Sequence, residues 1–381
     1  MPEFSCLPPL SLYIHIPWCV RKCPYCDFNS HAVKHEIPES QYIDCLLNDL
    51  EQQLPGIWGR RLSSIFIGGG TPSLFSAEGI HRLLSGIRAR MQTVATMEIT
   101  LEANPGTFEQ EKFNGFYEAG INRLSIGIQS FDSDKLKRLG RIHDGREAIQ
   151  AIETARKAGF ENINLDLMFA LPEQTIEQGL ADLQTAIQLQ PSHISWYQLT
   201  IEPNTYFYTH PPVTPDDELS FECQLQGQAL LASAGYAQYE ISAYARNGQQ
   251  CKHNLNYWEF GDYLAIGAGA HGKISRADDQ SIHRYWQVRK PEDYMDATLR
   301  TAGKEILSEK DRVFEFMLNA LRLKQGFDLE LFENHTGLSR KLIEADCATA
   351  IDSGLLTQQG NRLHATDRGY LFLNELINMF S

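Results

Sequence analysis

Cys19, Cys23 and Cys26 stand in the stretch HIPWCVRKCPYCDFNS, spaced C-x3-C-x2-C, with no fourth cysteine near enough to complete a tetrahedral site. Three thiolates at this spacing, directly after an apolar run, can hold three irons of a 4Fe-4S cluster and leave the fourth iron open to another ligand. A structural zinc site takes four ligands, usually in paired C-x2-C units, and one such pair is present. His15 and His31 could complete a zinc site, so zinc stands as an alternative on ligand grounds. A thioredoxin-like redox pair is a weaker reading, because Cys23 and Cys26 lack the Trp-Cys-Gly-Pro context and Cys19 would be unexplained.

Further residues capable of chemistry end apolar, β-branched runs. GGGTPS (Gly68–Ser73) follows SSIFI, Glu102 to Pro105 close MEITLEANP, Gln129 closes NRLSIGIQ and Asp166 lies late in NINLDLMFALP. Taken singly, GGGTP is a tight turn, Arg141 a solvated charge and Asp166 a cap or core hydrogen-bond partner. Their common position at run ends is the signal. Two glycine patterns are decoys: Gly68–Pro72 lacks the G-K-[ST] ending of a phosphate loop, and GAGAHG (Gly267–Gly272) is followed by KISRADDQ, which is no amphipathic helix. Packing of a late strand is the better reading there, with His271 lining a cavity.

The elements that must carry these residues are six strand-like runs, from LYIHIPW to HISWYQLTIEP, separated by helical patterns such as ESQYIDCLLNDLEQQL, SAEGIHRLLSGIRARM, GREAIQAIETARKAG and TIEQGLADLQTAIQLQ. This alternation predicts parallel βαβ units in an open doubly wound sheet or an incomplete barrel, where chemistry collects at the C-terminal strand ends. The aromatic segments YAQYEISAYA and HNLNYWEFGDYLAIGAGAHG suggest further strands and loops. Beyond Arg300 the pattern reads as three helices, a hairpin and a last helix, a small winged-helix-like unit. The expected domains are 1–235 for the barrel with its cysteine loop, 236–300 for a β-rich extension, and 301–381 for the helical domain.

Composition limits the function. A net charge of −14 gives no electrostatic footprint for nucleic acid. The apolar start carries Glu3 where a signal peptide needs basic residues, and no run reaches about 18 apolar residues, so a cytoplasmic protein without a transmembrane segment is expected. Eight cysteines in a reducing compartment then read as ligands or core residues, not disulfides.

The cysteine spacing, with aromatic Tyr25 before the third cysteine, strongly resembles the signature of the radical S-adenosylmethionine superfamily. The resemblance implies a radical SAM partial (β/α)6 barrel in which S-adenosylmethionine occupies the open iron of the 4Fe-4S cluster. It extends over nearly the whole chain to the oxygen-independent coproporphyrinogen III oxidase branch. In that branch Tyr13, Tyr25, Gly69, Gly70, Thr71, Glu102, Gln129, Arg141 and Asp166 match positions around the cluster and S-adenosylmethionine. The oxidases themselves continue the signature to a further cysteine, where this chain has Phe28, and carry an N-terminal extension, whereas 18 residues precede Cys19 here. Both departures argue against a coproporphyrinogen dehydrogenase and match the haem-chaperone members.

Those members carry a second signature, H-N-x-x-Y-W, spelled here His253-Asn254-Leu255-Asn256-Tyr257-Trp258. The resemblance implies haem binding at His253, with transfer to acceptor haem apoproteins of the respiratory chain, transient docking at a membrane and a homodimeric option. Were the segment extended, Cys251 and His253 would face the same side, making Cys251 an alternative, softer iron ligand.

Overall fold

The computed structural model describes residue 4 and residues 6–106, 110–246 and 248–381; Glu3, used above in the signal-peptide argument, lies outside them. Six strands form at the anticipated places: β1 (Leu10–Ile16), β2 (Arg61–Gly69), β3 (Gln92–Ala103), β4 (Arg123–Gln129), β5 (Ile163–Phe169) and β6 (His193–Gln198). They pair in chain order, all parallel. Helices follow them: α1 (Glu39–Gln53), α2 (Ala77–Arg90), α3 (Gln110–Ala119), α4 (Gly145–Lys157), α5 (Ile176–Gln188) and α6 (Asp217–Ser233). Several start on the anticipated caps. Ser76 accepts from Gly79 N–H, and Asp144 with Glu147 and Thr175 with Gln178 form capping boxes, each contributing about 1 kcal/mol.

Alternation along each strand explains why the sheet turns one face to the helices and keeps the other for chemistry. Leu12, Ile14, Ile65, Ile67, Leu101, Leu124, Ile126, Leu165 and Leu167 are fully buried in one apolar core with Leu46 of α1, Leu83 of α2 and Phe113 of α3, each side chain contributing roughly 1.5–3 kcal/mol. The intervening positions are mostly polar: Ser11, Tyr13 and His15; Ser64, with the aromatic Phe66 after it; Glu98, Thr100 and Glu102; Arg123 and Ser125; Asn164 and Asp166; His193 and Ser195. With a side-chain period of two, they share the inner face of the incomplete barrel.

The extension continues the same sheet. β7 (Ala243–Ala245) pairs antiparallel with β6, while β8 (Asp262–Ile266) joins β1 in parallel and is followed outward by β9 (His271–Arg276), β10 (Ser281–Gln287) and β11 (Thr301–Ile306), antiparallel to one another. The signature at His253–Trp258 is neither strand nor loop but lies in a helix, Lys252–Trp258. The extended reading, and with it the pairing of Cys251 and His253 on one strand face, is therefore corrected. The physical reason is a carboxylate from β3: Glu98 accepts from the backbone N–H groups of Lys252 (3.3 Å) and His253 (3.2 Å), capping a helix whose own sequence offers no side-chain cap.

The C-terminal part has its own core around Phe316, Phe332, Ile343, Leu356 and Leu376, and docks on the extension through Phe260 and Ile282. Phe260 meets Phe316 edge-on at 5.8 Å. Among the described residues, no helix is long and apolar enough to cross a membrane.

Candidate functional site

The cysteine loop leaves β1 at Pro17 and returns almost at once. Trp18–Cys19 pairs with His31–Ala32, so residues 20–30 form a short excursion pinned at its base. Asn29 holds it from the side, donating to the carbonyls of Ala268 (2.9 Å) and Arg289 (2.8 Å), while His15 Nε2 contacts the Asn29 carbonyl (2.9 Å). Gly70 is needed where the β2 turn crosses this loop: a Cβ there would lie 2.5 Å from the Trp18 carbonyl oxygen. Gly69 combines a φ of +115° with a would-be Cβ 2.7 Å from the His15 ring, so both geometry and space require glycine.

Each thiol has a polar neighbour from a different place. The Thr71 hydroxyl donates to Cys19 Sγ (3.5 Å), Arg141 Nη1 to Cys23 Sγ (3.8 Å), and Cys26 Sγ meets Ser30 Oγ at 3.7 Å. Burial pushes the Cys19 and Cys26 thiols up, an effect that metal ligation reverses. The three cysteines, Tyr25, Gly69, Gly70, Thr71, Glu102, Gln129, Arg141 and Asp166 all border one cavity of about 340 Å³ at the C-terminal strand ends. Among the described residues, no group of three or more His, Cys, Asp or Glu converges tightly enough for a single ion. A cluster needs no such convergence, because each thiolate takes a different iron. His15 offers no fourth zinc ligand in this arrangement, since its nitrogens contact the Tyr13 hydroxyl (2.8 Å) and the Asn29 carbonyl.

The ionisable groups of the cavity have the chemistry to receive a zwitterion. Glu102 accepts from Gly69 N–H (3.1 Å), and burial together with the nearby Asp166 pushes its carboxyl up to about 8. Asp166 is bonded by Ser125 (2.9 Å) and Asn164 (2.8 Å). Arg141 donates Nη2 to Asn104 Oδ1 (2.6 Å) and the Gly127 carbonyl (2.7 Å), whereas its buried Nε has no protein partner among the described residues. An unpaired buried guanidinium N–H beside a cavity fits a carboxylate guest. Gln129 ends β4 with a φ of +69°, which turns its side chain to meet the Tyr197 hydroxyl at 3.0 Å. Sequence reasoning missed Asn104, which ties Arg141 to Thr71 by accepting from one and donating to the other (2.8 Å). Its place two residues after Glu102 was the available signal.

Tyr13 lies outside this cavity, in a neighbouring one of about 490 Å³ that also shows Phe28, Gly69, Glu102, Tyr257, Tyr263, His271 and Arg289. His271 borders this neighbouring cavity rather than the one that holds the cysteines. His253 borders neither: it is 1% exposed inside the barrel, stacked on Phe66 with ring centroids 5.0 Å apart, its Nδ1 3.0 Å from Ser64 Oγ and its Nε2 3.2 Å from the Tyr257 hydroxyl. Iron ligation by His253 would break one of these contacts. Cys251 is fully buried, its thiol donating to Glu98 Oε1 at 3.5 Å.

A parallel (β/α)6 barrel with three cysteines on the loop after its first strand defines a radical SAM protein, and the radical SAM superfamily profile matches residues 13–186, with that of the HemN C-terminal domain at 307–372. The chain belongs to the heme chaperone HemW family within that superfamily: it is 52% identical to the heme chaperone HemW of Haemophilus influenzae and 50% identical to that of Escherichia coli, each alignment covering 98% of both chains. The structure of coproporphyrinogen III oxidase HemN from Escherichia coli has the same fold, with a TM-score of 0.82 at 23% identity, covering 98% of this chain and 90% of that one.

Proposed function

We propose that this chain is a cytoplasmic haem chaperone that binds haem, holds a 4Fe-4S cluster on Cys19, Cys23 and Cys26 with S-adenosylmethionine at its open iron, and passes haem to acceptor apoproteins of the respiratory chain. The observation that carries the reading is the convergence of three thiols and the Glu102, Gln129, Arg141 and Asp166 side chains on one cavity, in a chain half identical to heme chaperones over its whole length. When bound, the cluster supplies a one-electron donor and an open Lewis-acidic iron. Around it, Glu102 accepts from the amine of the methionine moiety, Arg141 offers Nε to its carboxylate, and Asp166 takes the ribose hydroxyls. Gly69 and Gly70 let backbone groups approach. Contact with a membrane is transient, and a homodimer is compatible with the reading.

The alternative is a coproporphyrinogen dehydrogenase. Phe28, 61% exposed on the cavity wall, stands where that reaction's signature carries a further cysteine, which favours the chaperone. The deciding experiment gives anaerobically reconstituted protein coproporphyrinogen III, S-adenosylmethionine and reductant beside an authentic oxidase prepared identically. No protoporphyrinogen is expected, while haem binds one to one and activates an acceptor apoprotein. Multiple turnovers, or no haem transfer, would overturn the assignment.

A further inference from the structure

The cavity beside the cysteine loop has the surface of a site for a flat apolar metal complex with an anionic edge. Its volume of about 490 Å³ falls in the range of ligand pockets. Tyr257 and Tyr263 meet edge-on at 4.4 Å, and Tyr13 stacks on Phe66 at 6.3 Å. Phe28 borders this cavity and the cluster cavity alike. Aromatic faces of this kind hold a conjugated ring by dispersion and stacking.

A metal at the centre of such a ring needs an axial donor, and the cavity histidines differ in having one to spare. His15 spends both nitrogens on Tyr13 and Asn29. His271, at the start of β9, is exposed, rests against Trp286 (centroids 6.3 Å apart, 24° between planes), and its ring nitrogens make no hydrogen bond among the described residues. Burial and the nearby Arg284 and Arg289 lower its pKa, which keeps it in the neutral form that ligates iron. Arg289, also on the wall, forms no ion pair among the described residues. Its guanidinium is suited to pair bidentately with a carboxylate at the ring's edge.

Resting on the reading of this chain as haem-binding, we propose that haem seats in this cavity with the His271 imidazole as axial ligand to iron and Arg289 against a propionate. The signature helix contributes a wall through Tyr257 and no iron ligand. Haem would then share Phe28 and the Gly69–Glu102 wall with the cluster cavity, so that occupancy of either is felt at the other.

The test is a haem titration of the full-length, anaerobically reconstituted chain, following the Soret band and affinity alongside cluster iron. His271→Ala should shift the band and weaken binding at least about tenfold, with added imidazole restoring the wild-type spectrum. His253→Gln should leave the band in place. Arg289→Ala should weaken haem but not its dimethyl ester. An unchanged band and affinity in His271→Ala, with wild type binding one haem, would overturn the site and leave the haem reading standing. Absence of stoichiometric haem binding by wild type would remove both. Should the alanine variant lose cluster iron, His271→Gln gives the same comparison, a shifted band supporting the site and an unchanged one overturning it.

Discussion

Nε2 of His253 lies 3.2 Å from the hydroxyl of Tyr257, one helical turn away, and that contact carries the barrel interior out to the wall of the aromatic cavity. The histidine of the signature is a strut. Ser64 holds it on one side, Phe66 beneath, and Tyr257 receives its remaining nitrogen.

Removing the strut should therefore cost stability before it costs ligand binding. His253→Ala leaves Ser64 and Tyr257 without their buried partner and opens space over Phe66, a loss of about 2–4 kcal/mol. Denaturant midpoints on the reconstituted protein measure this, and a midpoint equal to wild type would contradict the strut.

The same residue makes the fold acid-sensitive. Burial, then the Arg123 charge, holds His253 down to about 3, and burial likewise holds His15 and His143 down to about 4. These groups stay neutral in the folded state, while the unfolded chain takes up protons below about pH 6.5. The histidines' contribution to stability should be flat above that pH and fall as pH drops toward 4, by up to about 1.4 kcal/mol per pH unit for each histidine, while Glu102, held up to about 8, works in the opposite direction as pH rises. His253→Gln should make the fall shallower, as read from thermal midpoints across pH 4.5–8.

Replacing Cys19, Cys23 or Cys26 by alanine should abolish the iron-sulfur absorption near ~400 nm and roughly four irons per chain, because each thiolate holds its own iron. Cys6, Cys45, Cys223 and Cys347 border neither cavity, and their variants should keep the iron. Full iron content in Cys23→Ala would end the cluster assignment, and stoichiometric zinc would return the alternative raised by the spacing.

Glu102 should impose a pH dependence on S-adenosylmethionine binding. With its carboxyl pushed up to about 8 in the free protein, it is mostly protonated at pH 7 and becomes the stronger, charged acceptor for an amine when it loses that proton. Affinity should rise between pH 6.5 and 8.5, and Glu102→Gln should bind more weakly with a flatter profile. Calorimetry in buffers of different ionisation enthalpy reports the released proton.

Asn104→Ala should act on the site without touching the cysteines. It frees Thr71 and Arg141 from their common partner, and loss of a buried hydrogen bond to a charged group costs about 1.5–3 kcal/mol. S-adenosylmethionine affinity should drop about tenfold or more while iron content stays near wild type.

What was legible in the amino-acid order was whatever rests on short-range periodicity and on residue chemistry. Apolar, β-branched runs with Gly, Pro or polar stops marked all six parallel strands, because β-branched side chains favour the extended backbone and a buried strand needs apolar residues along its length. The C-x3-C-x2-C spacing pointed to an iron-sulfur loop, with zinc as the alternative, because ligand count and reach are local properties. Tertiary structure decided the rest. The signature around His253 is a helix since Glu98, more than 150 positions earlier in the chain, caps its first N–H groups, and nothing nearby in sequence carries that information. The same packing buries the His253 ring against Ser64 and Phe66, leaves His271 bare on a neighbouring strand, and sets Asn104 between Thr71 and Arg141. Residue types name the groups that could act, but which nitrogen is spent on the protein and which is left for a ligand depends on partners that only the folded chain brings within hydrogen-bond reach.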